Sequence, residues 1–134
     1  MRPAQRIWLQ EGGTPLFGPD AYALLLQVAE TGSLRRAASD VGVSYSKAWH
    51  IANEAEARLG VRLFERRVGG SAGGGSALTT DGWKLGQRFG ALLVAADRDL
   101  DELYERYFAD LPFAGPAAEI AGGPQRLCRR ERRC

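Results

Sequence analysis

Histidine occurs once in the 134 residues, at position 50, and cysteine twice, at 128 and 134. One imidazole cannot by itself build a catalytic triad or a metal centre. The two thiols lie within Cys128-Arg129-Arg130-Glu131-Arg132-Arg133-Cys134, with no histidine near enough to complete a zinc site. In a reducing cytosol such a pair stays as free thiols. Long apolar runs are also missing: the stretches at Tyr22–Leu26 and Ala91–Ala96 fall far short of the roughly 20 residues that cross a bilayer. Met1–Gly13 has no apolar core of the kind a signal peptide needs. A cytoplasmic protein without a membrane partner is expected. There are no paired carboxylates, no nucleophile–base pair and no cofactor fingerprint, so neither an enzyme nor a bound cofactor or metal is expected.

What is present is an ordinary globular composition, 45% hydrophobic and 25% charged, sized for one domain and a tail. The net charge of +2 hides an uneven distribution. Residues 33–67 carry seven Lys/Arg against four Asp/Glu, residues 81–110 four against seven, and residues 126–134 five against one. A basic middle beside an acidic helix suits a polyanion on one face and something else on the other, although uneven surface charge alone is common.

The punctuation of the chain predicts its elements. Arg6–Gln10 alternates as a strand, Gly12-Gly13 supplies a turn, and Pro15–Phe17 returns as a second strand. Pro19 opens a helix over Asp20 to Glu30, striped by Tyr22, Leu25, Leu26 and Ala29 and stopped at Gly32. Ser33 caps a short helix from Leu34 to Val41. Gly42 fits a left-handed turn, Val43 plugs the core, and Ser44 caps a longer helix to Leu59 with Ala48, Ile51, Ala52, Ala55 and Leu59 inward. That is a helix-turn-helix. Arg62–Arg67 and Ala77–Thr79 read as two strands around a glycine-rich loop, Val68–Ser76, which is too flexible to pack. Thr80 caps a last helix from Asp81 to Asp110. The predicted fold class is mainly α with small β hairpins: a winged helix-turn-helix with a long C-terminal dimerisation helix. The domain would occupy 1–111, with 112–134 a disordered Arg-rich tail.

With Ala37, Ala38, Val41, Val43, Ala48 and Ile51 inward, Ser44, Tyr45, Ser46, Lys47, His50 and Asn53 face outward around the start of the second helix. These side-chain types reach base edges and phosphates in a major groove, although any surface helix shows a polar face. Ser33, Arg35, Arg66 and Arg67 are candidates for holding phosphates or, at the wing, for entering the minor groove. Trp49 lies laterally, where packing against the wing or the first helix is expected rather than base contact. The glycine loop lacks the Gly-Lys-Ser/Thr ending of a phosphate-binding loop. It is read as a wing tip or a plain hairpin tip.

In the last helix Phe89, Leu93, Ala96, Leu100, Leu103 and Tyr107 recur at steps of four and three, a heptad seam of nearly three repeats. Leu85 and Leu92 adjoin it and could pack on the domain. The seam predicts a homodimer whose recognition helices meet successive major-groove turns of double-stranded DNA. The alternative is an amphipathic helix folded onto its own core.

Leu24–Gly32, Ser33…Ala37-Ala38…Gly42-Val43-Ser44-Tyr45…Ala48-Trp49…Asn53-Glu54, Glu65-Arg66…Gly69-Gly70…Gly73-Gly74-Gly75…Leu78-Thr79…Gly82 together resemble the N-terminal winged-helix domain of the ModE family of molybdenum-dependent transcriptional regulators. Leu59–Arg66 is similar, more weakly, to LysR-type winged helices. The resemblance covers about residues 6–108. It implies a homodimer that binds operator DNA through the helix-turn-helix and wing. Full-length members also carry C-terminal oxyanion-binding domains that sense molybdate, and residues 112–134 could not fold into one. The expectation is a single-domain relative without those domains, which puts direct molybdate binding in question. Two rivals to a transcriptional regulator remain at this point: a winged-helix interaction module that binds a protein, and a small oxyanion- or metal-binding protein using the Arg/Cys tail or the dimer groove.

Overall fold

The computed structural model describes residues 1–67 and 75–115. A hairpin of β1 (Leu9–Glu11) and β2 (Thr14–Phe17) leads into α1 (Pro19–Thr31), α2 (Leu34–Val41) and α3 (Tyr45–Leu59). A second antiparallel pair, β3 (Phe64–Arg67) and β4 (Gly75–Leu78), precedes α4 (Thr80–Phe108). No helix among the described residues is long and apolar enough to cross a membrane.

Local chemistry sets the helix ends. Pro19 stands in the first turn of α1, where its missing N–H costs nothing. Ser33 Oγ accepts from the Arg36 N–H at 3.1 Å, and Ser44 Oγ accepts from the Lys47 N–H at 3.0 Å. Each therefore satisfies one of the amide groups a helix start leaves unpaired. Between α2 and α3 the chain reverses at Gly42, whose φ of 81° is a left-handed conformation that a β-carbon would strain. Several expected boundaries move. The first strand is Leu9–Glu11 instead of Arg6–Gln10, because pairing starts at Leu9↔Phe17 and is interrupted by a bulge before Gln10. The cap of α4 is Thr79, not Thr80: its Oγ1 accepts from the Gly82 N–H at 3.0 Å and donates to the Arg62 carbonyl at 2.6 Å. The strand expected over Arg62–Arg67 begins at Phe64, and its partner begins at Gly75, inside the stretch read as too flexible to pack.

The core is built on α1. Leu24, Leu25 and Val28 are fully buried, together with the alanines Ala37, Ala38, Ala48 and Ala52, which let α2 and α3 approach closely. Phe17 from the hairpin, Tyr22 from α1 and Phe89 from α4 join in one aromatic cluster. Phe89 has its ring centroid 5.0 Å from both of the others. The helix α4 lies directly on this layer because Gly82, Gly86 and Gly90 form a bare stripe along it. A β-carbon on Gly82 would strike the Leu63 backbone, one on Gly86 the Leu25 side chain, and one on Gly90 the Tyr22 hydroxyl.

This packing corrects part of the expected seam. Phe89 is buried in the protomer's own core and Leu93 packs against it, so the first half of the heptad stripe serves the intramolecular core. Leu92, expected to pack on the domain, is exposed instead. The chain also stays folded past residue 111. Ala114 is buried, and its carbonyl accepts from the Tyr104 hydroxyl at 3.2 Å and from the Met1 amino group at 3.1 Å. The tail assigned to 112–134 thus has an ordered beginning, and 116–134 lie outside the described residues.

Glu56 ties α3 to the second hairpin. One oxygen of this half-buried carboxylate accepts from the Leu63 and Phe64 amides at 2.7 and 3.2 Å and lies 3.4 Å from Arg62 Nε. Replacing Glu56 with alanine leaves two amides unsatisfied. It should lower the unfolding free energy by roughly 1–3 kcal/mol, seen as an earlier urea midpoint at unchanged slope. Glu56→Gln, which keeps an acceptor oxygen, should lose much less. Equal stability for the alanine variant and the parent would refute this role.

Candidate nucleic-acid interface

At about 100° per residue, α3 divides into distinct faces. Ala48, Ala52 and Ala55 point inward. Ser46, His50 and Asn53 point away from the core and are exposed. Tyr45 turns toward α2 and Trp49 toward the second hairpin, and Lys47, Glu54 and Arg58 toward the first. Among the described residues, Ser46, Lys47 and Asn53 have no side-chain hydrogen-bond partner, and all three are exposed. His50 Nε2 lies 3.3 Å from Glu54 Oε2, and Glu54 also pairs with Arg58, whose guanidinium donates to the Pro15 carbonyl at 2.9 Å. The lone histidine is therefore an exposed member of a surface network joining α3 to the first hairpin.

Two arginines frame this helix. The Arg35 guanidinium, from α2, sits 4.3 Å from the Tyr45 ring centroid. Arg66, from β3, sits 3.2 Å from that of Trp49. The two rings meet edge-on at 6.2 Å. Arg35, Tyr45, Trp49 and Arg66 thus form one ladder running from α2 across α3 to the hairpin. A cation lying over an aromatic face gains about 0.5–1 kcal/mol at an exposed site. The hairpin itself is fixed at its base, since the Ser76 amide donates to the Gly32 carbonyl at 2.8 Å and the Thr79 amide to the Leu63 carbonyl at 3.0 Å. Between hairpin and α3 lies a cavity of about 510 Å³ whose lining includes Asn53, Arg62 and Arg66.

The expected site residues thus divide. Ser46, His50 and Asn53 share the exposed face of α3 with Lys47 exposed on its flank toward the first hairpin, while Ser33 and Ser44 serve as helix caps. Tyr45 is engaged with Arg35 and Trp49. Trp49 packs toward the wing, one of its two expected neighbours. Arg67 ends β3 opposite Gly75, and the expected wing tip, 68–74, lies outside the described residues. Sequence reasoning missed the ladder: the spacing of Tyr45 and Trp49 brings them together on one helix, but Arg35 and Arg66 arrive from other elements. No group of three or more His, Cys, Asp or Glu side chains among the described residues is placed to hold a metal. The Cys128–Cys134 segment lies outside them.

The bacterial regulatory helix-turn-helix protein, lysR family, matches residues 19–83, from the start of α1 into the first turn of α4. The chain is 36% identical over 85 residues to the DNA-binding transcriptional dual regulator ModE of Escherichia coli K12, covering 63% of this chain and 32% of that protein. It is 36% identical over 91 residues to the molybdenum-pterin-binding protein MopB of Rhodobacter capsulatus, 68% of this chain and 33% of the relative. With the transcriptional regulator ModE of Haemophilus influenzae it shares 41% identity over 76 residues, 55% and 29% respectively. The chain therefore spans about a third of the length of these relatives.

Proposed function

We propose that this chain, whose residues 19–83 are a ModE-like, lysR-type helix-turn-helix domain, is a homodimeric, sequence-specific DNA-binding transcriptional regulator acting in molybdenum-related gene control. The observation that carries this reading is the exposed polar face of α3, set between the arginines of α2 and the second hairpin. Ser46, Lys47, His50 and Asn53 enter the major groove. Arg35, Arg66 and Arg67 take phosphates or the adjoining minor groove, and the free amides at the starts of α2 and α3, beside Ser33 and Ser44, add anion-binding capacity. The names of the relatives support the molybdenum context.

The homodimer uses the part of α4 not spent on the core. Ala96 and Leu100 are half-buried, and Leu103 and Tyr107 are exposed. Sedimentation equilibrium at micromolar concentration should give twice the chain mass, and Leu103→Asp should shift it to the monomer. A monomeric parent would remove the dimer.

The function is tested by selecting bound fragments from the source genome's DNA at about 150 mM salt, where nonspecific binding is weak. The expected result is an enriched palindrome with half-sites about one helical turn apart, located near genes for molybdenum uptake or use. Absence of enrichment with a folded protein would overturn the reading. On the enriched site, Lys47→Ala should weaken binding about three- to tenfold and reduce the salt slope by roughly one. Unchanged affinity would show that Lys47 does not touch the DNA.

A further inference from the structure

Tyr45 and Trp49 are the large aromatic side chains on α3, and on the exposed part of a recognition helix they would ordinarily be assigned to base contact. The geometry points elsewhere: we infer that Tyr45 and Trp49 are positioning residues, which hold the Arg35 and Arg66 guanidinium groups at fixed places on either side of α3 so that each receives one DNA phosphate. This rests on the DNA-binding reading above and assigns the two rings a role in it.

Three features carry the inference. Each ring face is already covered by a guanidinium, at 4.3 Å for Arg35 over Tyr45 and 3.2 Å for Arg66 over Trp49, so neither ring is open to stack on a base on that side. The rings brace one another at 6.2 Å in an edge-to-face contact, and Trp49 packs partly against the core. The ladder is therefore anchored to the core at Trp49. Finally, neither arginine has a carboxylate partner among the described residues, and both are exposed. Their N–H edges remain free for an oxygen anion while their planar faces are occupied. A guanidinium can stack and donate at once because its donors lie in the plane of the group, which an ammonium cannot do. An arginine side chain fixed before binding loses less rotamer freedom on meeting a phosphate.

The test uses the full chain with a mixed-sequence duplex of about 30 base pairs as probe, on which affinity reports phosphate contacts without base recognition. The readout is the slope of log affinity against log salt concentration. Arg66→Ala should reduce that slope by about 0.9, one phosphate. Trp49→Ala, which changes no charge, should remove most of the same increment, and the double variant should lose no more than Arg66→Ala alone. Trp49→Phe, which keeps a ring, should restore most of it. Arg66→Lys, which keeps the charge without the planar face, should behave like Trp49→Ala. Tyr45→Leu should act on Arg35→Ala in the same way and provides an independent pair should Trp49→Ala fold poorly. A parental slope in Trp49→Ala and Tyr45→Leu, or additive losses in the double variants, would overturn the positioning role while leaving DNA binding intact. No salt-dependent binding by the parent chain would instead overturn the DNA reading on which it rests.

Discussion

Phe89→Ala should cost the protomer about 3–5 kcal/mol, the range for removing a fully packed aromatic side chain. Phe89 is 2% exposed and fills the space between Phe17 and Tyr22, with both ring centroids at 5.0 Å. Its removal opens a void bounded by three elements that already constrain one another, so little collapse can offset the loss. Against a total stability of about 5–15 kcal/mol for an ordinary domain, such a variant would be close to unfolding at growth temperature. Urea unfolding followed by circular dichroism measures it. The loss should be the same when protein concentration is raised about tenfold, since the cavity lies inside one protomer. A deficit that disappears on concentrating the protein would return Phe89 to a subunit interface.

Gly82→Ala is the second large effect, and here two forces have opposite sign. Helix propensity favours alanine over glycine by up to about 1 kcal/mol. The close approach of α4 to Leu63 opposes it: a β-carbon at position 82 would overlap the Leu63 carbonyl oxygen and crowd its carbonyl carbon at 3.2 Å. These are backbone atoms held from the other side, where the Leu63 carbonyl accepts from the Thr79 amide and the Leu63 amide donates to Glu56. They cannot swing aside as a side chain would, so sterics win. The expected net loss is about 3 kcal/mol, with the second hairpin displaced from the start of α4. Gly86→Ala is the internal comparison, because its obstruction is the movable end of Leu25. It should cost clearly less. Stabilisation by Gly82→Ala would show that the two elements stand further apart than the structure places them.

The helix-turn-helix was legible because its signals are local. A serine cap, a pair of small alanines, a glycine turn and a second serine cap each act within three or four residues. Ser33, Gly42 and Ser44 indeed sit at the positions that spacing assigns them. Glycine-rich stretches were harder to read from composition. Gly75 pairs with Arg67 in β4 although its neighbours suggested a loop, since strand pairing needs only backbone groups and a partner in register. The seam of α4 was misjudged for a related reason. A heptad stripe records that one face is apolar and says nothing about which surface covers it. The glycines at 82, 86 and 90 were the sign that another element approaches closely, and it is the protomer's own α1 and Leu63 that do so.

Taken alone, the order of residues determined the helices, the caps and turn that join α2 to α3, the polar composition of the exposed face of α3 and the likeness to DNA-binding regulators, because caps, turns and periodicity are short-range effects. Only the tertiary structure decided which apolar stripe of α4 is core, that the chain folds back at Ala114 onto Tyr104 and the amino terminus, and that Arg35 and Arg66 converge on the rings of α3. These contacts join residues far apart in the chain. Which partners meet is settled by how the whole core packs, and no local window of the sequence contains that information.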